Sequence, residues 1–198
     1  MREARMPEKL TKEEKKILLQ IAREAIESAV RGKPLRDLPL ATYPPRLQEK
    51  GASFVTLTKG GALRGCIGAL EPYQPLAADV QEHAVAAALQ DFRFPPVSPE
   101  ELPQIEIEVS RLTLPVPLPY DSPEDLPARL RPGIDGLILR DGWRRATFLP
   151  QVWEQLPQPE EFLNHLCMKM GAPADIWRQK MLEAFIYQVE DFHEGEFT

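Results

Sequence analysis

The chain has 198 residues, 43% of them apolar and 27% charged, which suffices for one large domain with a buried core. A net charge of −6 argues against nucleic acid or an anionic membrane as main partner, because both need a basic footprint. No stretch approaches the roughly 18 apolar residues of a membrane span. The opening MREARMPEKLTKEEKK lacks the apolar core of a secretory signal, so a cytoplasmic protein with Cys66 and Cys167 as reduced thiols is expected.

The capping-box spelling Thr11-Lys-Glu-Glu14 opens the first predicted helix, over 11–31. Leu18, Ile21, Ala22, Ala25, Ile26 and Ala29 recur at helical spacing, and Gly32 supplies the stop. Mostly loop follows, up to Gly51. Residues 52–58 read as a strand with Ser53, Val55 and Leu57 on one face and Phe54, Thr56 and Thr58 on the other. The turn Lys59-Gly60-Gly61 returns it into a second strand, 62–68, as a hairpin. A second helix spans 75–90 from Pro75, with Leu76, Val80, His83, Ala84, Ala87 and Ala88 on one side.

Residues 104–114 form a strand, Ile105, Ile107 and Val109 facing inward and Glu106, Glu108 and Ser110 outward. A short helix is expected over 126–130. Strands 136–140 and 143–149 flank Asp141-Gly142, the strongest hairpin signal present. Helices follow over 159–170 and 175–180, and a strand over 184–190. Prolines, 21 in all, run at about twice the ordinary ~5%. They cluster at Pro44-Pro45, Pro95-Pro96 and 114–119 as stiff loops, and with abundant Arg, Glu and Leu they suggest a thermophilic source. Adjacent hairpins with helices between them give an α+β fold with a mainly antiparallel sheet flanked by helices. There is no repeat and no clear linker, so residues 1–198 read as a single domain or as two subdomains of one.

The most unusual stretch is Leu63-Arg-Gly-Cys-Ile-Gly68. On a strand, Arg64, Cys66 and Gly68 share a face, so a guanidinium stands two residues from a thiol, an arrangement that favours the thiolate. The glycines Gly65 and Gly68 let a backbone or a ligand approach closely. Against this stands the plain reading that a free cysteine is buried filler and that Arg64 pairs with a carboxylate. Arg93 either holds an anion or pairs with Asp91, and the rings of Phe92 and Phe94 are expected to anchor its loop. Gln151 follows a strand and a proline, and either faces a cleft or caps a helix. His165 is a solvated histidine or a cleft-lining one, while Cys167 belongs to the apolar face of its helix. His83 packs on the sheet or serves Cys66 as a base. Glu106 and Glu108 read as a solvated face. The cysteines and histidines match no zinc spacing, Gly60-Gly61 is no phosphate loop, and no metal or cofactor is expected.

Leu63-Arg-Gly-Cys-Ile-Gly68 resembles the signature of the AMMECR domain family. Asp91-Phe-Arg-Phe-Pro-Pro96 is similar to a second family stretch. Phe148-Leu-Pro-Gln-Val152 and Phe162-Leu-Asn-His-Leu-Cys167, with Lys169 and Gly171, are similar to a third. The resemblance covers about 51–190, with the first helix also expected. Phe92 replaces a common proline, and Met170 a smaller residue. The resemblance implies a larger part holding both termini, a smaller part, and a cleft between them. It also implies a role alongside a Memo-like or radical SAM protein. Two functions follow: thiolate chemistry by Cys66, with Arg64, on a small anionic or acyl substrate, or a non-catalytic module binding a protein or peptide at the same place.

Overall fold

The computed structural model describes residues 9–197. In chain order its main elements are α1 (Lys12–Val30), α2 (Pro45–Gln48), β1 (Lys50–Lys59), β2 (Ala62–Gly68), β3 (Gln74–Pro75), α3 (Leu76–Leu89), β4 (Ile105–Leu112), β5 (Val116–Pro117), α4 (Leu126–Arg129), β6 (Gly136–Asp141), β7 (Arg144–Phe148), α5 (Pro159–Lys169), α6 (Ile176–Gln179), β8 (Glu183–Tyr187) and β9 (Val189–His193). Short 3-10 turns fill several connections. The chain divides into two compact units, one made of residues 9–112 with 190–197 and the other of 113–189. The fold is α+β, with antiparallel sheets and packed helices, as the sequence pattern predicts.

In the first unit the sheet order is β2-β1-β4-β9, with β3 paired to the start of β1. Alternation along β1 drives the layering. Ser53, Val55 and Leu57 are fully buried, while Phe54, Thr56 and Thr58 on the opposite face are only half-buried. The buried face is covered by α3, and α1 packs on α3. The α1 cap forms as its sequence predicts: Thr11 Oγ1 accepts the Glu14 N–H at 3.2 Å, and Glu14 Oε2 accepts the Thr11 N–H at 2.7 Å. Leu18, Ile26, Leu57, Leu76, Ile107 and Phe192 are among the core residues here.

In the second unit the order is β5-β8-β6-β7. Leu137, Leu139 and Ala184 turn towards α5, whose Phe162, Leu163, Leu166 and Cys167 complete an apolar core. Trp153 stacks on Phe162 at 3.7 Å between centroids and donates its indole N–H to the Asp135 carbonyl at 2.8 Å.

Three local expectations change. Val116–Pro117, inside a proline cluster read as loop, pairs with β8 as an edge strand, where a missing N–H is tolerated. The strand expected over 184–190 is two strands broken at Gln188: β8 lies in the second unit's sheet, and β9 runs on to His193 beside β4. The 3-10 turn Pro150–Glu154 is capped by Leu149, so Gln151 lies within a turn instead of capping one.

Candidate functional site

The predicted strand over 62–68 is β2, at the edge of the first sheet. Its register against β1 pairs Cys66 with Thr56 and Leu57 with Gly65, then slips so that Thr58 meets Leu63. Arg64 is the extra residue of that bulge, and a bulge re-aims its side chain. Gly65 lies flat against α3: a Cβ there would stand 2.2 Å from the Ala87 carbonyl oxygen. At Gly68 a Cβ would meet the Phe54 ring and the Ser53 carbonyl oxygen, both at 2.4 Å. The close approach that both glycines permit is therefore made by the protein's own atoms.

Cys66 is half-buried on the face turned away from α3. Its sulfur accepts the Thr56 hydroxyl at 3.3 Å. Its backbone is held on both sides by one loop, for the Cys66 N–H donates to Asp91 Oδ2 at 2.9 Å and the Cys66 carbonyl accepts from Arg93 Nη2 at 3.2 Å. Asp91 is the centre of this clamp. It is buried, accepts Arg93 Nη2 at 2.6 Å and Nε at 2.9 Å, and accepts the Arg93 N–H as an Asx turn. The Arg93 guanidinium holds the Asp91 carboxyl well below the ordinary carboxylate range, helped by the Cys66 N–H, against the opposing effect of burial. Of the two readings of Arg93, its partner is Asp91.

Arg64 is occupied as well. Its Nε and Nη2 bind Glu101 at 3.0 and 2.9 Å, and Nη1 donates to the Pro95 carbonyl at 2.9 Å. Glu101 also accepts Lys59 Nζ and the Ser98 N–H, each at 3.0 Å. Arg64 foremost, then Ser98 and Lys59, bring the Glu101 carboxyl down to about 2. The guanidinium expected beside the thiol thus fastens β2 to the loop after α3.

His83 does not serve Cys66. It lies on α3 with Nδ1 3.2 Å from Asp79 Oδ2, and the same oxygen accepts the Ser53 hydroxyl at 2.6 Å. All three residues are buried on the helix-covered face, so the sheet stands between His83 and the sulfur. Across the open face, Cys66, Thr56 and Glu108 occupy one cross-strand row. Burial, then the charge of Asp191, raises the Glu108 carboxyl. Glu106 is exposed, as expected, and Glu108 is half-buried.

Gln151 and His165 belong to the other compact unit. Both are exposed. His165 Nδ1 donates to the Glu161 carbonyl at 2.9 Å, one helical turn back. Cys167 is fully buried, and burial pushes its thiol up to about 11.

The family model described as AMMECR1 matches residues 19–192. This chain belongs to the AMMECR1 family. A relative from Methanothermobacter thermautotrophicus is 45% identical over 93% of this chain and 96% of its own length. Another from Thermofilum pendens is 41% identical over 94% and 92%. The crystal structure of an uncharacterized protein from Pyrococcus horikoshii matches with a TM-score of 0.74 and 36% identity, covering 93% of each chain. AMMECR1 relatives thus include proteins of thermophilic archaea, in keeping with the composition.

In this AMMECR1 chain the loop 91–96 overturns one expectation. Phe92 does not anchor it, being 95% exposed. Asp91 anchors it, and Arg93 lies over the Phe94 ring at 5.6 Å. Asp91, weighed in the sequence only as a partner for Arg93, and Glu101, which sequence reading passed over, organise the site. Each had a local signal. Asp91 stands just past a helix end, where an Asx turn is natural, and Ser98-Pro-Glu-Glu101 spells a capping box.

Proposed function

We propose that this protein is a non-catalytic binding module that captures a partner protein through the loop 91–96 beside Cys66. The observation that carries this reading is the contrast within the loop. Asp91 and Arg93 lock it to both sides of the Cys66 peptide, while Phe92 stands 95% exposed between them. An aromatic ring presented on a pre-ordered backbone loses little freedom on binding and is a strong anchor for an apolar pocket. Both nearby guanidinium groups already hold carboxylates of the same chain, which favours docking over the capture of a small anion. The resemblance implies a Memo-like or radical SAM protein as the partner. Calorimetric titration with a purified Memo-like protein and a purified radical SAM protein tests this. With one of them, Phe92→Ala should weaken binding about tenfold or more, roughly 1.4 kcal/mol, while Cys66→Ser leaves it intact. Equal binding by wild type and Phe92→Ala, or no heat with either protein, overturns the reading.

A second reading keeps Cys66 as a nucleophile toward a small anionic or acyl substrate. It is favoured by a half-exposed sulfur that accepts a hydroxyl and shares its row with Glu108. Iodoacetamide labelling of the native protein as a function of pH tests it. Thiolate chemistry requires an inflection well below the ordinary cysteine value of about 8.5, lost in Cys66→Ser. An inflection at the ordinary value leaves only the binding role.

A further inference from the structure

The β6–β7 hairpin ends in a side chain that the site around Cys66 does not explain. Strand pairing runs out to Asp141 and Arg144, so Gly142 and Trp143 alone make the turn, with Gly142 at φ +62. So short a turn is stiff and projects its side chains beyond the sheet. The Trp143 ring is 89% exposed. The Arg144 guanidinium lies over it at 5.4 Å and holds no carboxylate among the described residues. The acid opposite, Asp141, is taken by Lys180 at 2.7 Å. One exposed ring needs no explanation by itself, but a second feature of the same compact unit supplies one.

Between α4 and the start of α5 lies a groove of about 460 Å³, lined by Pro127, Ala128, Gln158, Pro159, Glu160 and Glu161. Its apolar wall is two proline rings and a methyl group, rigid surfaces that lose no side-chain freedom when covered. Glu160 is engaged by Arg178 at 2.5 Å. Glu161 is exposed, and its carboxylate holds no cation among the described residues. Tip and groove therefore match in shape and in charge: a ring with a cation lacking an acid, and a proline wall with an acid lacking a cation. We propose that the Trp143-Arg144 tip of one copy of this chain seats in the groove of a second copy, whose own tip seats in the first, as a two-fold pair. The indole lies on Pro127 and Pro159, its N–H faces the Gln158 carboxamide, and Arg144 meets Glu161. An isologous pair makes each contact twice. A Trp buries about 150–250 Å², so two tips and the walls they cover stay under about 1,200 Å², the size of a weak, reversible complex. The net charge of −6 on each copy opposes pairing, and the Arg144–Glu161 match offsets it locally. Both features lie within the unit 113–189, so the pair stands or falls independently of the loop 91–96.

The experiment is sedimentation equilibrium of the intact protein from about 1 μM to about 1 mM, the range in which an interface of this size dissociates. The wild type should pass reversibly from the mass of one chain to that of two and stop there. Trp143→Ala, a change at an exposed turn position, should stay single throughout. Arg144→Glu and Glu161→Arg should each weaken pairing about tenfold. The two together should restore it, which a general change of surface charge would not do. Ala128→Trp, which fills the groove from an exposed position, should abolish pairing, and it decides the matter if Arg144→Glu does not fold. A wild type that is single at every concentration, a mass that grows past two chains, or pairing unaltered in Trp143→Ala overturns the proposal.

Discussion

Gly65 shows how tightly one residue can bind two layers together. Its backbone lies so close to α3 that an added methyl group would overlap the Ala87 carbonyl at 2.2 Å, and that carbonyl belongs to a helix unable to shift alone. Gly65→Ala should therefore destabilise the first unit by about 3 kcal/mol, read from urea unfolding. Loop glycines with open space around them, such as Gly60 at φ +57, act through backbone conformation alone. At this scale the sequence marked the stretch as unusual and left open what packs against it. That glycines flank Cys66 was plain, and that something comes close to them followed. At Gly65 what comes close is decided by the packing of a helix some twenty residues later, which strand alternation cannot report. The same holds for Arg64. Its distance from Cys66 along the chain was legible, but the bulge that turns it to Glu101 arises from a slip in register.

At the scale of elements, periodicity carried most of the information. The helix at α1, the hairpin of β1 and β2, the helix α3 and the Asp141-Gly142 hairpin all appear where spacing and turn residues put them. These segments agree at every level, because cap, apolar stripe and turn chemistry point to the same structure. The misses fall where tertiary pairing overrides local preference. Pro117 joins a strand only because its partner β8 leaves an edge open. The stretch Glu190-Asp191 looks polar and terminal, yet Phe192 is fully buried and Glu190 is buried where its carboxylate accepts the Leu10 N–H at 3.0 Å. No window of local sequence shows that Glu190 has a partner nearly the whole chain away.

For the molecule as a whole, the link from loop to sheet makes stability depend on acid. The folded Glu101 carboxyl titrates at about 2 instead of its usual 4.5, principally because of Arg64. A depressed carboxyl contributes fully above its unfolded value and loses that contribution as pH falls towards its folded one. Unfolding free energy should therefore drop as pH moves from 4.5 to about 2, with Asp91 acting in the same direction. Glu101→Gln should lower stability at neutral pH by on the order of 1 kcal/mol and flatten the acid limb of the curve. A variant with the wild-type acid slope would show that Glu101 has no part in it.

The broken strand at Gln188 also bears on the order of events at the ribosome. Residues 9–112 emerge before 113–189, but their sheet lacks β9 and their core lacks Phe192 until residues 189–193 have been made. Among the described residues the second unit, 113–189, is continuous and can close on itself earlier. The half of the protein that is translated first is thus the half that finishes last, and it holds an unpaired strand edge while it waits.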